Sequence, residues 1–379
     1  MKNIETKLIW SGDIRPRVHG AVSLPVFQSS TYEYSEGGSY DDVRYIRLNN
    51  TPNHIVLGKR LADIEGAEAG LVTTSGMAAI TTTLLTYLKA GDHLLAQNIL
   101  YGGTYDFITK NLPEYKITYD LIEGSKPDEW KKYLKPSTKV IYVESISNPL
   151  MEVPALNEVV KFAKENNLVS FIDNTFATPV NFRPPEIGFD ISLHSATKYL
   201  NGHNDIVAGA VLAKADMIEK IKHNLNHFGG SLDPHACFLL QRGLKTLALR
   251  VRYQNESALK IAGFLETHKS VSKVNYPGLE SSPYYKQASR FFEGFGGMIS
   301  FEVNVPPEKF IKNLEIPAYA PSLGGAESLI ILPAKTSHAG LTDEERKKTR
   351  INDNLIRLSV GVESTEDIID DIKQAFENL

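Results

Sequence analysis

Cysteine is nearly absent from this sequence, whose 379 residues include only Cys237. A single cysteine excludes a disulfide framework and a multi-cysteine zinc site within one chain. The neighbours of Cys237 are apolar, since Phe238 and Leu240 lie close to it along the chain. This setting predicts a buried structural thiol rather than a nucleophile.

Long apolar runs are absent as well. No stretch of 18 apolar residues occurs, so the sequence predicts no transmembrane helix and no membrane partner. Residues 1–10 are charged and lack the apolar segment of a secretory signal. We therefore expect a cytoplasmic protein.

Neither sign of charge dominates the composition. Lysine and arginine number 41, aspartate and glutamate number 45, and the formal net charge is −4. A nucleic-acid backbone rewards a basic face, so this balance argues against a nucleic-acid partner. Hydrophobic residues at 42% and charged residues at 23% are ordinary for a globular protein, and the length predicts two or three domains.

Apolar runs alternate with amphipathic, helix-length stretches between residues 55 and 232, and two of the predicted helices cover 103–112 and 126–134. This alternation predicts an α/β domain with a mainly parallel sheet that helices cover on both faces. The seven runs are Ala69–Thr74, His93–Asn98, Lys116–Ile122, Lys139–Glu144, Leu168–Asp173, Phe189–Ala196 and Val207–Ala213. Residues 1–54, with a polar turn-like segment at 37–42, are interpreted as an irregular N-terminal arm.

The pattern changes from residue 233 onward. A helical stretch runs towards His268, and a helix over Thr365–Asn378 ends the chain. Strand candidates between them are Val271–Tyr276, Met298–Val303 and Leu355–Val360. Strands and helices without regular alternation are typical of an α+β fold, so we predict a smaller C-terminal α+β domain over residues 233–379.

The most distinctive local feature is the segment Ser195–Tyr199, which follows an apolar run. A lysine just beyond a buried strand loses solvent, which lowers the pKa of the amine and makes Lys198 nucleophilic. The nearby hydroxyls of Ser195 and Thr197 are suited to a phosphate. Taken alone, these residues fit a surface lysine after a strand better.

Two other features follow predicted strands. Asp173 ends an apolar run, where the carboxyl edge of an open α/β sheet binds ligands and a carboxylate can hold a positive ring nitrogen. An N-cap or loop aspartate explains it equally well. Thr73–Ala79 forms a strand, a small-residue turn and a helix start, whose free amides and dipole favour an anion. An ordinary strand–helix turn also fits that segment.

The order of these three features is more specific than any one of them. An anion-binding turn, a later strand-end aspartate and then hydroxyls with a lysine occur in that sequence along the chain. A phosphate site, an acid for a pyridinium nitrogen and an imine-forming lysine are what pyridoxal 5′-phosphate (PLP) requires. The order therefore favours a PLP-dependent enzyme.

With these residues in view, the sequence resembles the PLP-dependent enzymes of cysteine and methionine metabolism, which include cystathionine lyases and synthases. The resemblance runs nearly end to end and implies an aspartate-aminotransferase-like fold (PLP fold type I). The matching segments are Gly20–Thr31, Ser75–Ala79, Asp173–Thr175, Ser195–Tyr199, Gly202–His203, Ser322–Gly325, Glu327–Leu329 and Ile356–Gly361.

The resemblance implies cofactor-binding roles. Lys198 is expected to hold PLP covalently and then to shuttle protons, and Asp173 to pair with the ring nitrogen. Tyr101 is expected to stack on the ring and assist catalysis. The implied phosphate ligands are Gly76, Met77, Ser195 and Thr197, with Tyr45 and Arg47 from a neighbouring subunit.

The resemblance also implies a substrate site. Asn148 is expected near the ring hydroxyl and the substrate, and Ser322 and Arg357 at the substrate α-carboxylate, Arg357 through a bidentate pair. By pattern alone, Arg357 lies on the more polar face of its strand and fits an exposed arginine equally well.

Some positions depart from relatives of that family. Gly103 replaces the cysteine typical of methionine γ-lyases, and we expect the glycine to open the pocket wall to a longer substrate. Pro321 and Asp106 replace groups that engage the distal end of cystathionine in γ-enzymes. Leu323 differs from the tryptophan common in β-lyases. These positions leave β- and γ-elimination both open.

The implied function is a PLP-dependent carbon–sulfur lyase that acts on L-cystathionine or a related sulfur amino acid. A cystathionine γ-synthase, or another acylhomoserine γ-replacement enzyme, is the first alternative, and a non-catalytic regulatory PLP-binding protein is the second. The resemblance implies a homotetramer, a dimer of dimers with shared active sites. His223 and His227 have helical metal-ligand spacing but lack an intervening glutamate, and we expect no metal there.

Overall fold

The computed structural model describes residues 3–34, 42–340, 342, 344, 346 and 349–379. Its α-helices are α1 (Ile4–Trp10), α2 (Pro52–Glu65), α3 (Gly76–Tyr87), α4 (Gly102–Asp106), α5 (Pro127–Trp130), α6 (Leu156–Glu165), α7 (Thr178–Asn181), α8 (Pro184–Ile187), α9 (Ala215–Phe228), α10 (Pro234–Leu244), α11 (Leu247–Thr267), α12 (Tyr285–Phe291), α13 (Pro307–Asn313) and α14 (Thr365–Glu377). Its strands are β1 (Ala69–Thr73), β2 (His93–Gln97), β3 (Thr118–Ile122), β4 (Thr138–Glu144), β5 (Val169–Asp173), β6 (Ile191–His194), β7 (Gly209–Ala213), β8 (Val271–Asn275), β9 (Met298–Val303), β10 (Ala318–Tyr319), β11 (Leu329–Ile331) and β12 (Leu355–Ser359).

The larger sheet contains all seven predicted strands of the first region, with ends within two residues of the prediction. Their order is β1-β7-β6-β5-β4-β2-β3. Strand β7 runs antiparallel to both of its neighbours, and the remaining pairs are parallel. The mainly parallel sheet is therefore confirmed.

Helices cover this sheet on both faces, as the continuous apolar runs predict. Ile141 and Val143 of β4 belong to one buried apolar cluster, and Val140 and Tyr142 belong to another. Successive side chains of a strand point to opposite faces, so these clusters lie on opposite sides of the sheet. Burial on both sides explains why the strands are largely apolar rather than alternating between apolar and polar residues.

The smaller sheet has the order β10-β11-β12-β9-β8. Three of its strands were predicted, but β10 and β11 were not. These two strands have two and three residues, which is too short for a periodic pattern to be recognised. Helices α11 and α14 pack near this sheet, with Phe301, Phe310 and Phe376 in its core.

The N-terminal region is more ordered than its irregular pattern predicts. Helix α1 packs on α2 and buries Leu8. Arg60 of α2 donates to the carboxylate of Asp13 at 2.6 Å, which ties the following segment down. A seven-residue helix with one buried side chain carries too little periodicity to be recognised. The predicted turn at 37–42 lies, apart from Asp42, outside the described residues.

Two predicted helices are less regular than expected. The one expected over 103–112 is α4 followed by a π-helix over Phe107–Asn111. The one expected over 126–134 is the short α5 followed by a 3₁₀ turn. No helix in the described part of the chain combines the length and the apolar character needed to cross a membrane.

The carboxyl ends of parallel strands share one edge of the larger sheet. Glu144 ends β4 directly opposite Asp173, the last residue of β5, and β6 ends next to them at His194. Strand β1 leads into α3 nearby, since Thr73 pairs with Gly209 of β7. Loops from these strand ends and from the smaller sheet enclose the candidate site.

Candidate active site

A cavity of about 700 Å³ lies at this edge and is lined by residues from both sheets. Ten of the twelve predicted site residues line it. They are Gly76, Met77, Tyr101, Asn148, Asp173, Ser195, Thr197, Lys198, Ser322 and Arg357. Residues far apart in sequence are thus gathered around one space.

The predicted anion turn forms one end of the cavity. Ser75 caps α3, because its hydroxyl accepts the Ala78 N–H at 3.0 Å. The N–H groups of Gly76 and Met77, in the first helical turn, have no carbonyl within the helix to bond. A Cβ on Gly76 would lie 2.7 Å from the Ser195 Cβ, so only glycine allows the two segments to meet this closely.

Lys198 is mostly buried, and its amine lies beside the smaller sheet. Its Nζ donates to the Ser322 hydroxyl at 2.8 Å. Burial, with the nearby Arg357 cation adding to it, lowers the pKa of Lys198 to about 8. The Lys198 of this site is therefore not a surface lysine but an amine with an appreciable neutral fraction near neutral pH.

Asp173 lies 8% exposed at the end of β5. Its carboxylate accepts the Thr175 N–H at 2.9 Å. Burial raises the pKa of Asp173, and the bonds from Thr175 oppose that rise. His194, which lowers the pKa of Asp173, forms a buried pair with Glu65 at 3.0 Å.

Arg357 is buried, at 4% exposed, and not on a solvent face. Its Nη1 donates to the Asn148 side-chain oxygen at 3.0 Å, and its Nη2 donates to the Ser322 carbonyl at 2.9 Å. Its Nε has no partner among the described residues. Burial lowers the pKa of Arg357 to about 10, so it stays cationic at neutral pH and suits an incoming carboxylate.

Ser322 joins the two cationic side chains. Its hydroxyl accepts from Lys198, and its carbonyl accepts from Arg357. Its φ of 107° is a strained value for a residue with a Cβ. Such strain persists only where the surroundings hold it, and it is common at functional sites.

Tyr101 projects into the cavity and is 43% exposed. The sequence led us to expect that the neighbouring Gly103 opens the cavity wall to a longer substrate, and this expectation is wrong. A Cβ on Gly103 would lie 2.7 Å from the Tyr101 ring and 3.2 Å from the Met77 sulfur. The space that glycine leaves is taken by the Tyr101 ring, so Gly103 serves the placement of that ring.

Two predicted phosphate ligands lie elsewhere in the subunit. Tyr45 and Arg47 are exposed and do not line the cavity. Arg47 donates to the Asn226 carbonyl at 2.9 Å. Asp106 also lies outside the lining, in an ion pair with Lys110 at 2.8 Å, whereas Pro321 and Leu323 line the cavity.

Pattern reasoning missed Glu144, which lines the cavity at the end of β4. The available signal was its position, because it ends a buried run in the same way as Asp173. Thr336 and Ser337 were missed too, and they line the cavity from a loop without regular structure that no pattern marks.

The residues around the cavity fit PLP. Amide and hydroxyl donors at the Gly76 turn suit the phosphate of PLP. A side chain in place of Gly76 would fill the space between this turn and Ser195. Asp173 suits the ring nitrogen, and the amine of Lys198 suits the aldehyde carbon. This fold and site define a PLP-dependent enzyme of the aspartate-aminotransferase-like class.

Comparison with known proteins narrows that class. The family described as "Cys/Met metabolism PLP-dependent enzyme" matches residues 5–377. A cystathionine β-lyase of Lactococcus lactis subsp. cremoris is 44% identical over the full length of both chains. A cystathionine γ-lyase of Bacillus subtilis is 40% identical over 99% of both. The solved cystathionine γ-synthase of Xanthomonas oryzae has a TM-score of 0.96 at 35% identity, covering 100% of this chain and 98% of that one.

The chain therefore belongs to the PLP-dependent enzymes of cysteine and methionine metabolism. The resemblance stated from the motifs is confirmed, as are the fold class and the cofactor.

Proposed function

We propose that this protein is a carbon–sulfur lyase that acts on L-cystathionine or a related sulfur amino acid. The observation that carries the proposal is the contact between the Lys198 amine and Ser322, whose carbonyl also holds Arg357. A general base and a carboxylate-binding cation thus lie side by side in one cavity. Relatives named cystathionine β-lyase and cystathionine γ-lyase support the substrate class.

The roles of the side chains follow from their contacts. When bound, PLP supplies a ring that delocalises the negative charge developing at the substrate Cα. Arg357 binds the α-carboxylate, which satisfies its unpartnered Nε and orients the substrate. The Lys198 amine is the group that removes the Cα proton, and Asp173 would hold the proton on the ring nitrogen of PLP.

The position of the leaving sulfur determines how many protons must move. A sulfur on Cβ leaves after the Cα proton has been removed. A sulfur on Cγ requires a second deprotonation at Cβ, for which Lys198 and Tyr101 are the groups at hand. Of the three positions at which the family resemblance implies a difference between β- and γ-enzymes, Pro321 and Leu323 line the cavity and Asp106 does not.

Product analysis tests the proposal. Purified protein with L-cystathionine should yield pyruvate, homocysteine and ammonia by β-cleavage, or 2-oxobutyrate, cysteine and ammonia by γ-cleavage. The Lys198→Ala variant serves as the inactive control. If neither keto acid forms while acylhomoserine plus cysteine yields cystathionine, the γ-synthase alternative replaces the lyase. PLP binding with no turnover of any of these substrates would support the regulatory alternative.

The proposal includes a homotetramer with shared active sites. Tyr45 and Arg47 lie away from the cavity of their own subunit, which supports their reaching a neighbour's phosphate.

Hybrid subunits test the sharing of sites. Inactive Lys198→Ala protein refolded with impaired Arg47→Ala protein should regain activity, because some hybrid sites would then carry both native residues. Different affinity tags on the two variants, used in two successive purification steps, verify that hybrids form. No rescue in verified hybrids would show that each site is built from one chain.

A further inference from the structure

Glu144 makes contacts that none of the roles above includes. Its side chain is 5% exposed and lines the cavity. One carboxylate oxygen accepts the backbone N–H of Tyr101 at 2.7 Å. The other accepts the backbone N–H of Asn148 at 3.1 Å. A single buried carboxylate therefore joins two loops: Tyr101 lies 43 residues before Glu144 along the chain, and Asn148 lies four residues after it. Each carboxylate oxygen has its own N–H donor.

Glu144 itself is held rigidly. It is the last residue of β4, and its own N–H donates to the Gln97 side chain at 3.1 Å. Its backbone is paired with β5 opposite Asp173. A side chain fixed on a central strand positions its partners more accurately than one on a loop.

The loop that carries Tyr101 has further supports on its other side. His338 lies 3.2 Å from the Leu100 carbonyl through its Nε2. A Cβ on Gly102 would lie 2.2 Å from the Ser337 carbonyl, so the loop packs tightly there. The His338 ring also contacts the Asn148 backbone, so it supports both loops from that side. Glu144 is the group whose two carboxylate oxygens accept the N–H groups of Tyr101 and Asn148 themselves.

Tyr101 and Asn148, the two residues that Glu144 holds, both belong to the candidate active site. Tyr101 lines the cavity, and Asn148 accepts from Arg357 at 3.0 Å. A displacement of Glu144 would thus move the stacking ring and, through Asn148, the carboxylate-binding cation.

We propose that Glu144 is a positioning residue that sets Tyr101 on the cofactor face and Asn148 beside Arg357 at the same time. The proposal rests on the PLP-dependent function. It is supported by the environment of Glu144, because burial, and then the nearby Asp173, raise the pKa of Glu144 well above its ordinary value. Such a costly carboxyl group is retained where its hydrogen bonds serve a purpose.

Two substitutions separate positioning from charge. Glu144→Gln keeps the length but turns an NH₂ donor towards one of the two N–H donors, so one loop loses its acceptor. Glu144→Asp keeps the acid but is one methylene shorter and cannot span both loops. Asp371→Asn is the matched control, because Asp371 is a buried carboxylate that accepts the backbone N–H groups of Glu315 and Ile316 beside the smaller sheet.

The measurements are made on full-length protein reconstituted with PLP. They are the Kd for PLP by titration of the apoprotein, the visible circular dichroism of the bound cofactor, and kcat and KM for L-cystathionine. We expect both Glu144 variants to weaken PLP binding at least tenfold, to change the visible dichroism, and to lower kcat more than they raise KM. Asp371→Asn should lower the thermal midpoint while leaving the Kd and dichroism unchanged.

The outcomes are distinct. Wild-type Kd and dichroism in both Glu144 variants would overturn the proposal, and so would wild-type behaviour of Glu144→Asp alone, since a shorter acid would then suffice. Should Glu144→Gln fail to fold, Glu144→Asp still decides. A wild-type protein that binds no PLP would instead refute the function on which the proposal rests.

Discussion

Lys198 is expected to react with PLP with a pH dependence centred near 8, well below the range of an ordinary lysine. The reaction requires the neutral amine, and burial together with Arg357 lowers the pKa of Lys198 from 10.5 to about 8. At pH 7 the neutral fraction is then roughly one tenth, against about three in ten thousand for an ordinary lysine, a gain of about 300-fold.

Rapid mixing of the apoprotein with PLP measures this effect. The rate constant for formation of the visible lysine-linked chromophore should rise with pH and level off above about 8. Lys198→Arg, which keeps a cation but offers no reactive amine at these pH values, is the blank for non-specific chromophores.

An Arg357 substitution separates the two causes of the low pKa. Arg357→Met removes the neighbouring cation but leaves the burial of Lys198. Because burial is the larger cause, the midpoint should move upwards and remain below 10.5. A wild-type midpoint near 10.5 would refute the reasoning, as would a midpoint in Arg357→Met equal to or below that of the wild type.

The structure supports three further predictions. Lys198→Met should stabilise the apoprotein by up to about 3 kcal/mol below pH 8, because the pKa of Lys198 is lower in the folded state; the gain should vanish as pH rises through 10.5, and denaturant titrations at pH 7 and 10.5 that show equal gains would contradict this. Cys237 is buried, and burial raises the pKa of its thiol, so an aromatic disulfide reagent should label it only after unfolding; rapid labelling of the native protein would contradict its burial. Gly103→Ala should displace the Tyr101 ring and lower kcat/KM by about ten- to a hundredfold, whereas unchanged kinetics and visible dichroism would show that the ring has room to spare.

The larger sheet was predictable because its burial leaves a strong trace in the sequence. Helices on both faces bury successive positions of a strand, so most of those positions are apolar. All five residues of β2 are buried, and Leu94, Leu95 and Ala96 form its apolar centre. Strands β10 and β11 leave no such trace, since two or three residues cannot establish a period. Helix α1 was not predicted for a similar reason, because Leu8 is its one buried residue and sets no period.

Arg357 illustrates what a strand pattern cannot decide. All five residues of β12 are buried, so the alternation that suggested a solvent-facing arginine does not correspond to an exposed face. Its polar side faces the cavity between the two sheets, and only the packing of one sheet against the other creates that cavity. The role of Gly103 could not be read from the strand and helix pattern either, because it depends on where the Tyr101 ring lies in the folded chain.

The sequence by itself gives the order of the anion turn, Asp173 and Lys198, and this order predicted PLP chemistry. The prediction was possible because parallel strands bring their carboxyl ends to one edge of a sheet. Which side chains touch was decided only by tertiary structure. Lys198 meets Ser322 across 124 residues of chain, and Arg357 meets Asn148 across 209. No local period or spacing in the sequence indicates contacts between residues this far apart along the chain. Burial in the assembled cavity lowers the pKa of Lys198, and the approach of the Tyr101 loop gives Glu144 its more distant N–H donor. Both effects require residues from distant parts of the chain to come together.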